Sequence, residues 1–185
     1  LLGTGMRVSE LYGLTKADID FEARRIKVER QLTRTRHCEY YIEKPKTASG
    51  ERYIPMTNEV YQAFQNAVQR RKQPKVELLI DGHTGFLFLD KDGKPKVAMH
   101  LEHVMKRIVD RYNDTHEDQL PSITPHVLRH TFCTEMASSG IDLKSLQYLM
   151  GHSDVGVTLN VYTHASFDRA AEQMAKILAF PAVTA

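Results

Sequence analysis

The chain has 185 residues, 42% of them apolar and 26% charged, with a formal net charge of +2. That balance fits one globular domain and excludes a disordered or fibrous chain. No apolar run approaches the roughly 20 residues that cross a bilayer, no start resembles a signal peptide, and the two cysteines, Cys38 and Cys133, encode neither a disulfide framework nor a zinc ribbon. A soluble protein of a reducing cytoplasm is expected, with no membrane contact.

In chain order, Leu1-Leu2-Gly3 reads as the end of a helix, so the chain is taken as part of a longer protein. Met6, Val8, Leu11 and Leu14 then predict a short helix ended by Thr15, with Arg7 near its start. From Arg25 to Met56 the apolar period changes to two: Ile26 with Val28, Tyr40 with Ile42, Tyr53 with Pro55. A small antiparallel sheet of three strands is expected, with a turn at Ala48-Ser49-Gly50. Side chains two apart share a strand face, which puts Lys44 and Lys46 together at the strand end. Between Arg24 and Arg52 nine basic residues face four acidic ones. This excess suits a phosphate-facing surface, and equally a solvated charged hairpin.

An amphipathic helix comes next over 58–72, with Val60, Phe64, Ala67 and Val68 inward. A short strand is expected over 86–89, then a helix over 97–112 with Leu101, Val104, Met105 and Ile108 on its apolar face. Thr124-Pro125 is an N-cap followed by proline at the first helical position, so a helix starts at His126 and runs to Ser138 before Gly140. Short helices over 142–150 and 154–161 succeed it. A last helix over 166–178 carries Phe167, Ala170, Ala171, Met174 and Leu178 as one stripe.

The chemistry concentrates in this last third. His126 and Arg129 lie three apart in the first turn of a helix, both directed at its positive end, where a phosphate is favoured. The alternative is an arginine paired to an acidic neighbour and a histidine satisfied at the helix start. His126 and His130 also form an H-x-x-x-H pair, the spacing of a zinc peptidase, but the glutamate that serves as its base is missing and Arg129 repels a cation. Gly151-His152-Ser153-Asp154 reads as a helix end, a histidine at the bend and the cap of the next helix. Tyr162 stands ten residues after His152.

The segments Thr4-Gly5-Met6-Arg7-Val8-Ser9-Glu10-Leu11, Lys46-Thr47-Ala48-Ser49-Gly50-Glu51-Arg52, His126-Val127-Leu128-Arg129-His130-Thr131-Phe132, Leu149-Met150-Gly151-His152-Ser153 and Tyr162-Thr163-His164 together resemble the tyrosine recombinase (phage integrase) family, in order and in approximate spacing. The mixture is also similar to integrases of conjugative transposons and related phages. The resemblance implies an α+β fold, a mainly helical catalytic domain with a small antiparallel three-stranded sheet, spanning residues 1–185 with a tail over 166–185. It implies Arg7 and Arg129 as phosphate-clamping arginines, His126 and His152 as further active-site histidines, Lys46 as the strand-borne lysine and Tyr162 as the nucleophile. Glu10, one turn from Arg7, is placed to hold that arginine. Met150 stands where leucine is commoner, the hairpin over 30–43 is longer than the family minimum, and the DNA-clasping N-terminal domain is absent from this sequence.

The resemblance further implies a DNA strand-transferase of a bacterial cytoplasm, at the nucleoid when it acts. Such an enzyme would cut through a 3′-phosphotyrosyl bond, with no metal, ATP or other cofactor, and integrate or excise a mobile element. Its partners would be double-stranded DNA, three further copies of itself in a tetramer that exchanges tails on paired sites, and accessory excision or DNA-bending factors. Which histidine accepts a proton is open, and Lys44 is the alternative to Lys46 as acid. A type IB topoisomerase shares this chemistry. A DNA-binding regulator that has lost catalysis and a metal-dependent hydrolase are the readings from other classes.

Overall fold

The computed structural model describes residues 1–45 and 48–162. Lys46, Thr47 and everything from Thr163 onward, including the expected tail helix, lie outside the described residues.

Helix α1 (Val8–Tyr12) begins at Arg7 and ends at Gly13. Gly13 is packed so closely that a Cβ there would lie 3.2 Å from the Arg30 carbonyl. Among the described residues five strands come after it: β1 (Ile19–Asp20), β2 (Arg25–Val28), β3 (Gln31–Arg34), β4 (Tyr40–Glu43) and β5 (Arg52–Pro55). They make two sheets. One has the order β1-β2-β5 and the other is the β3-β4 ribbon, with all pairs antiparallel. The expected three-stranded sheet therefore exists with a different membership, because Ile19–Asp20 takes the place expected for Tyr40–Ile42. Local closure accounts for this. Asp20 accepts from the Ala23 amide and Arg24 adopts φ 51°, folding β1 onto β2. A second tight turn, in which Thr35 donates to the Glu39 carbonyl and Cys38 has φ 67°, folds β4 onto β3.

Within β5 the faces are reversed from the expectation. Tyr53 and Pro55 point outward, whereas Arg52 and Ile54 are buried. The excess of basic residues divides accordingly. Arg30 and Arg52 are buried in ion pairs, Arg30 with Asp18 and Glu29, Arg52 with Glu10, while Arg24, Arg25, Lys27, Arg36 and Lys44 are exposed. The inward pair is structural, and the outward set is free to meet phosphates.

Helix α2 (Asn58–Arg70), capped by the Thr57 hydroxyl, packs Val60 and Phe64 on the β1-β2-β5 sheet with Ile26, Val28 and Ile54. Residues 86–89 form only isolated bridges, Thr15 to Phe86 and Leu89 to Pro95, although Phe86 and Leu87 are buried. Helix α3 (Ala98–Asn113) buries Met105 and Val109 and leaves Val104 and Ile108 outside, so its apolar stripe is rotated from the expected one. Helices α4 (Pro125–Ser138), α5 (Leu143–Met150) and α6 (Val155–Leu159) complete the described chain. Helices α4 and α5 share a core of Phe132, Cys133, Ala137, Leu146 and Met150, with Val161 and Tyr162 packed against it. This helical unit is fastened to the sheet by two bonds: Arg52 Nε donates to the Leu149 carbonyl at 2.7 Å, and the Tyr53 amide donates to the Tyr148 hydroxyl at 3.0 Å. Among the described residues no helix is long and apolar enough to cross a membrane.

Candidate active site

Four of the six candidate residues converge. Arg7, His126, Arg129 and His152 line one cavity of about 370 Å³, together with Ser153, Asp154 and Val157. Each arrives by a local rule. Arg7 is the N-cap residue of α1, and Thr124 and Pro125 start α4 so that His126 stands in its first turn with Arg129 one turn further on. Gly151 ends α5 in the left-handed region at φ 62°, and Asp154 caps α6 by accepting from the Gly156 amide at 2.8 Å, which leaves His152 on the bend between them.

A buried carboxylate organises the cations. Glu10 accepts from the Arg7 backbone amide at 2.7 Å and from Arg7 Nη1 at 2.9 Å, as its one-turn spacing anticipated. Its two oxygens also accept from Arg52 Nη1 and Nη2 at 3.1 and 2.9 Å, and Arg129 Nη1 lies 4.0 Å away. Burial pushes the Glu10 pKa up, but the Arg52 hydrogen bonds and charge, helped by Arg7, outweigh it and hold the carboxyl below its ordinary value.

Backbone carbonyls aim the guanidiniums. Arg129 donates to Gly5 and Met150 carbonyls, each at 2.5 Å, and Arg7 Nη2 donates to the Gly151 carbonyl at 3.3 Å. Gly5 can present its carbonyl because it holds φ 62° against the Phe132 ring, where a Cβ would sit 2.5 Å from a ring carbon. Burial, then repulsion from Arg7 and Arg52, pushes the Arg129 pKa down to about 10, so it stays cationic at neutral pH. Burial and the same three arginines push His152 down to about 4, so its ring is neutral.

Tyr162 is not among the residues lining the cavity. It packs beside the Phe132 cluster and its hydroxyl donates to the Ile141 carbonyl at 2.6 Å. Lys46 lies outside the described residues, and Lys44 is exposed. His130 is exposed and stands 3.4 Å from the Thr134 hydroxyl. Among the described residues no group of three or more His, Cys, Asp or Glu is placed to hold a metal.

Arg52 is the residue that sequence reasoning missed. Its side chain is wholly buried, and besides Glu10 and Leu149 it reaches the Gly50 carbonyl at 3.2 Å, beside the turn that comes after Lys46. It therefore joins the turn that ends at Gly50, the Glu10 carboxylate that holds Arg7, and the end of α5. The available signal was its spacing of two from Ile54, which puts both on the buried face. Arg52→Ala should destabilise the chain by about 1–3 kcal/mol, because the buried Glu10 carboxylate, though still held by Arg7, loses two charge-assisted hydrogen bonds, and the Leu149 and Gly50 carbonyls lose theirs. Urea unfolding checks this, and a loss under about 1 kcal/mol, the range of an exposed pair, contradicts it.

A profile of the phage integrase family matches residues 1–169. The chain is 50% identical over 177 residues to the transposase of transposon Tn916 from Enterococcus faecalis, covering 96% of this chain and 44% of that protein. It is 31% identical over 176 residues to the tyrosine recombinase XerC of Pediococcus pentosaceus, covering 95% of this chain and 51% of that one. The Tn1549 transposon integrase, solved in complex with circular intermediate DNA, superposes with a TM-score of 0.87 at 51% identity, covering 96% of this chain and 57% of that one. XerA recombinase shares the fold, with a TM-score of 0.65 at 22% identity over 97% of this chain and 56% of that one. The chain thus spans about half the length of the relatives it matches. Matched over nearly its whole length, the chain belongs to the phage integrase family of tyrosine recombinases.

Proposed function

We propose that the chain is the catalytic domain of a site-specific DNA recombinase of a mobile element, cutting and rejoining strands through a phosphotyrosyl bond at Tyr162. The observation that carries this reading is the convergence of Arg7, His126, Arg129 and His152 on one cavity at the positive end of α4. In attack on a phosphodiester, negative charge grows on the non-bridging oxygens. Arg7 and Arg129 offer fixed, permanently charged donors to those oxygens, and the neutral His152 ring offers a hydrogen bond.

Tyr162 must first leave the Ile141 carbonyl, since its hydroxyl bonds there and not at the cavity. A phenol holds its proton at neutral pH, and His126, exposed at the start of α4, is the group that takes it. The Tyr162 oxygen bonds to phosphorus, the bond from phosphorus to the 5′-oxygen breaks, and Lys46 protonates the departing oxygen. The new ester keeps the energy of the broken one, so a 5′-hydroxyl of the same or another strand reverses the step without ATP. The proposed partners are duplex DNA and further copies of the chain on paired sites, with residues 166–185 as the segment exchanged, and accessory excision or bending factors. Transposon relatives at 50% identity favour integration or excision of an element over topoisomerase relaxation.

Two measurements test the reading. Transfer of a labelled strand between two marked duplexes is expected, whereas relaxation without transfer would make the chain a topoisomerase. Duplex affinity should also fall with salt, roughly fortyfold between about 50 and about 200 mM if three phosphates are neutralised. A flat dependence would mean that the exposed set Arg24, Arg25, Lys27, Arg36 and Lys44 is not a DNA surface.

A further inference from the structure

Helix α6 carries a threonine whose side chain has one job visible in the structure. Thr158 is fully buried, and its Oγ1 lies 2.9 Å from His152 Nδ1. A helical threonine usually turns its hydroxyl to the carbonyl four residues back, as Thr131 does to Val127 at 3.0 Å. Thr158 does not. Among the described residues the imidazole is its hydroxyl's partner, and the ring's Nε2 is left for the cavity that His152 lines.

A hydroxyl and a ring nitrogen can bond in either direction, and burial decides between them. If Nδ1 carried the proton, Thr158 Oγ1 would accept it and its own O–H would be left buried without an acceptor. Leaving a buried donor unmet costs more than the bond itself gains. If Nδ1 is bare, the O–H donates to it and every hydrogen is used. The doubly protonated ring is disfavoured by its surroundings: Arg7 at the start of α1, Arg129 on α4 and Arg52 on β5 all act on it, the Glu10 carboxylate is already shared among those arginines, and Asp154, which lines the same cavity, is engaged in capping α6.

We infer that Thr158 is a positioning residue for strand transfer, whose hydroxyl donates to His152 Nδ1 and so fixes the ring proton on Nε2, directed at the phosphate. The inference rests on the proposed strand-transfer reading for its consequence, but not for its geometry. It gives His152 a single role: with Nδ1 occupied and Nε2 protonated, the ring donates to a non-bridging oxygen and has no lone pair free for the Tyr162 proton. It also ties the histidine to the segment that carries the proposed nucleophile, because Thr158 lies four residues before Tyr162.

The tautomer can be read directly. In the chain labelled with 15N-histidine, with His152 assigned by difference against His152→Gln, ring nitrogen shifts and couplings should show a bare Nδ1 and a protonated Nε2. Thr158→Val keeps the shape and removes the hydroxyl. It should release the ring to a mixture of tautomers and slow adduct formation roughly tenfold with little change in DNA affinity. Thr158→Ser should restore both tautomer and rate, which a purely packing role for the threonine methyl would not allow. A protonated Nδ1 in the wild type, or an unchanged tautomer and rate in Thr158→Val, overturns the inference. Failure of the wild type to form any adduct, with the tautomer as expected, overturns strand transfer and leaves the Thr158 bond standing.

Discussion

Replacing Arg129 should slow strand cleavage by about 10²–10³, whatever the leaving group, because in the proposed reaction its charge acts on the non-bridging oxygens. Burial of the same side chain adds a structural cost. Arg129 satisfies the Gly5 and Met150 carbonyls, so Arg129→Ala also strips partners from two buried acceptors and should cost about 1–3 kcal/mol of stability. Arg129→Lys, which keeps a charge but loses the planar fork, separates the chemical from the structural loss. Lys46 provides the contrast. If it protonates the departing 5′-oxygen, Lys46→Ala should cleave ordinary DNA poorly yet cleave a substrate with sulfur at the bridging 5′ position nearly as well as wild type, since a thiol with pKa near about 8.5 leaves without an acid. Both Arg129 variants should stay slow on that substrate. Rescue of Lys44→Ala in place of Lys46→Ala moves the acid to the neighbouring lysine, and rescue of neither removes the strand turn from proton transfer.

Tyr162→Phe should abolish the proposed covalent complex and leave duplex affinity nearly unchanged, because the cavity proposed to take the phosphate is built from other residues. Its second effect comes from the position of the hydroxyl. The bond to the Ile141 carbonyl is lost, so the variant should be about 1 kcal/mol less stable in urea unfolding. A covalent complex that persists in Tyr162→Phe removes the tyrosine from the mechanism. A stability equal to wild type means that the hydroxyl does not rest on Ile141 in solution.

Where the sequence was legible, the signal was local. Thr124-Pro125, Gly151 and Asp154 each mark a helix end by their own chemistry, and these ends place His126, Arg129 and His152. The Glu10 contact to Arg7 was legible for the same reason, a spacing of one turn. Pairings across the chain were not. Ile26 and Val28 announce a strand, but nothing within that strand says that Ile19 rather than Tyr40 lies beside it. Arg30 and Arg52 were counted with the surface cations because charged residues are seldom buried. They are buried because Asp18 and Glu10 are buried opposite them, and such a pair shows only once the strands are in place. The resting place of Tyr162 was illegible for a different reason: its hydroxyl bonds to the Ile141 carbonyl, a partner 21 residues away that no local spacing announces.

Strand transfer of the proposed kind requires that Tyr162 become joined to a DNA 3′-phosphate. Incubating the chain with a nicked, end-labelled duplex that traps the cleaved strand, digesting the product and identifying the DNA-bearing peptide by mass spectrometry tests it most directly. The expected product is a peptide from the 160–164 region with a 3′-phosphate on Tyr162, formed equally with and without chelator. A phosphate on any other residue, a 5′-phosphate link, or a product that appears only with added metal would contradict it.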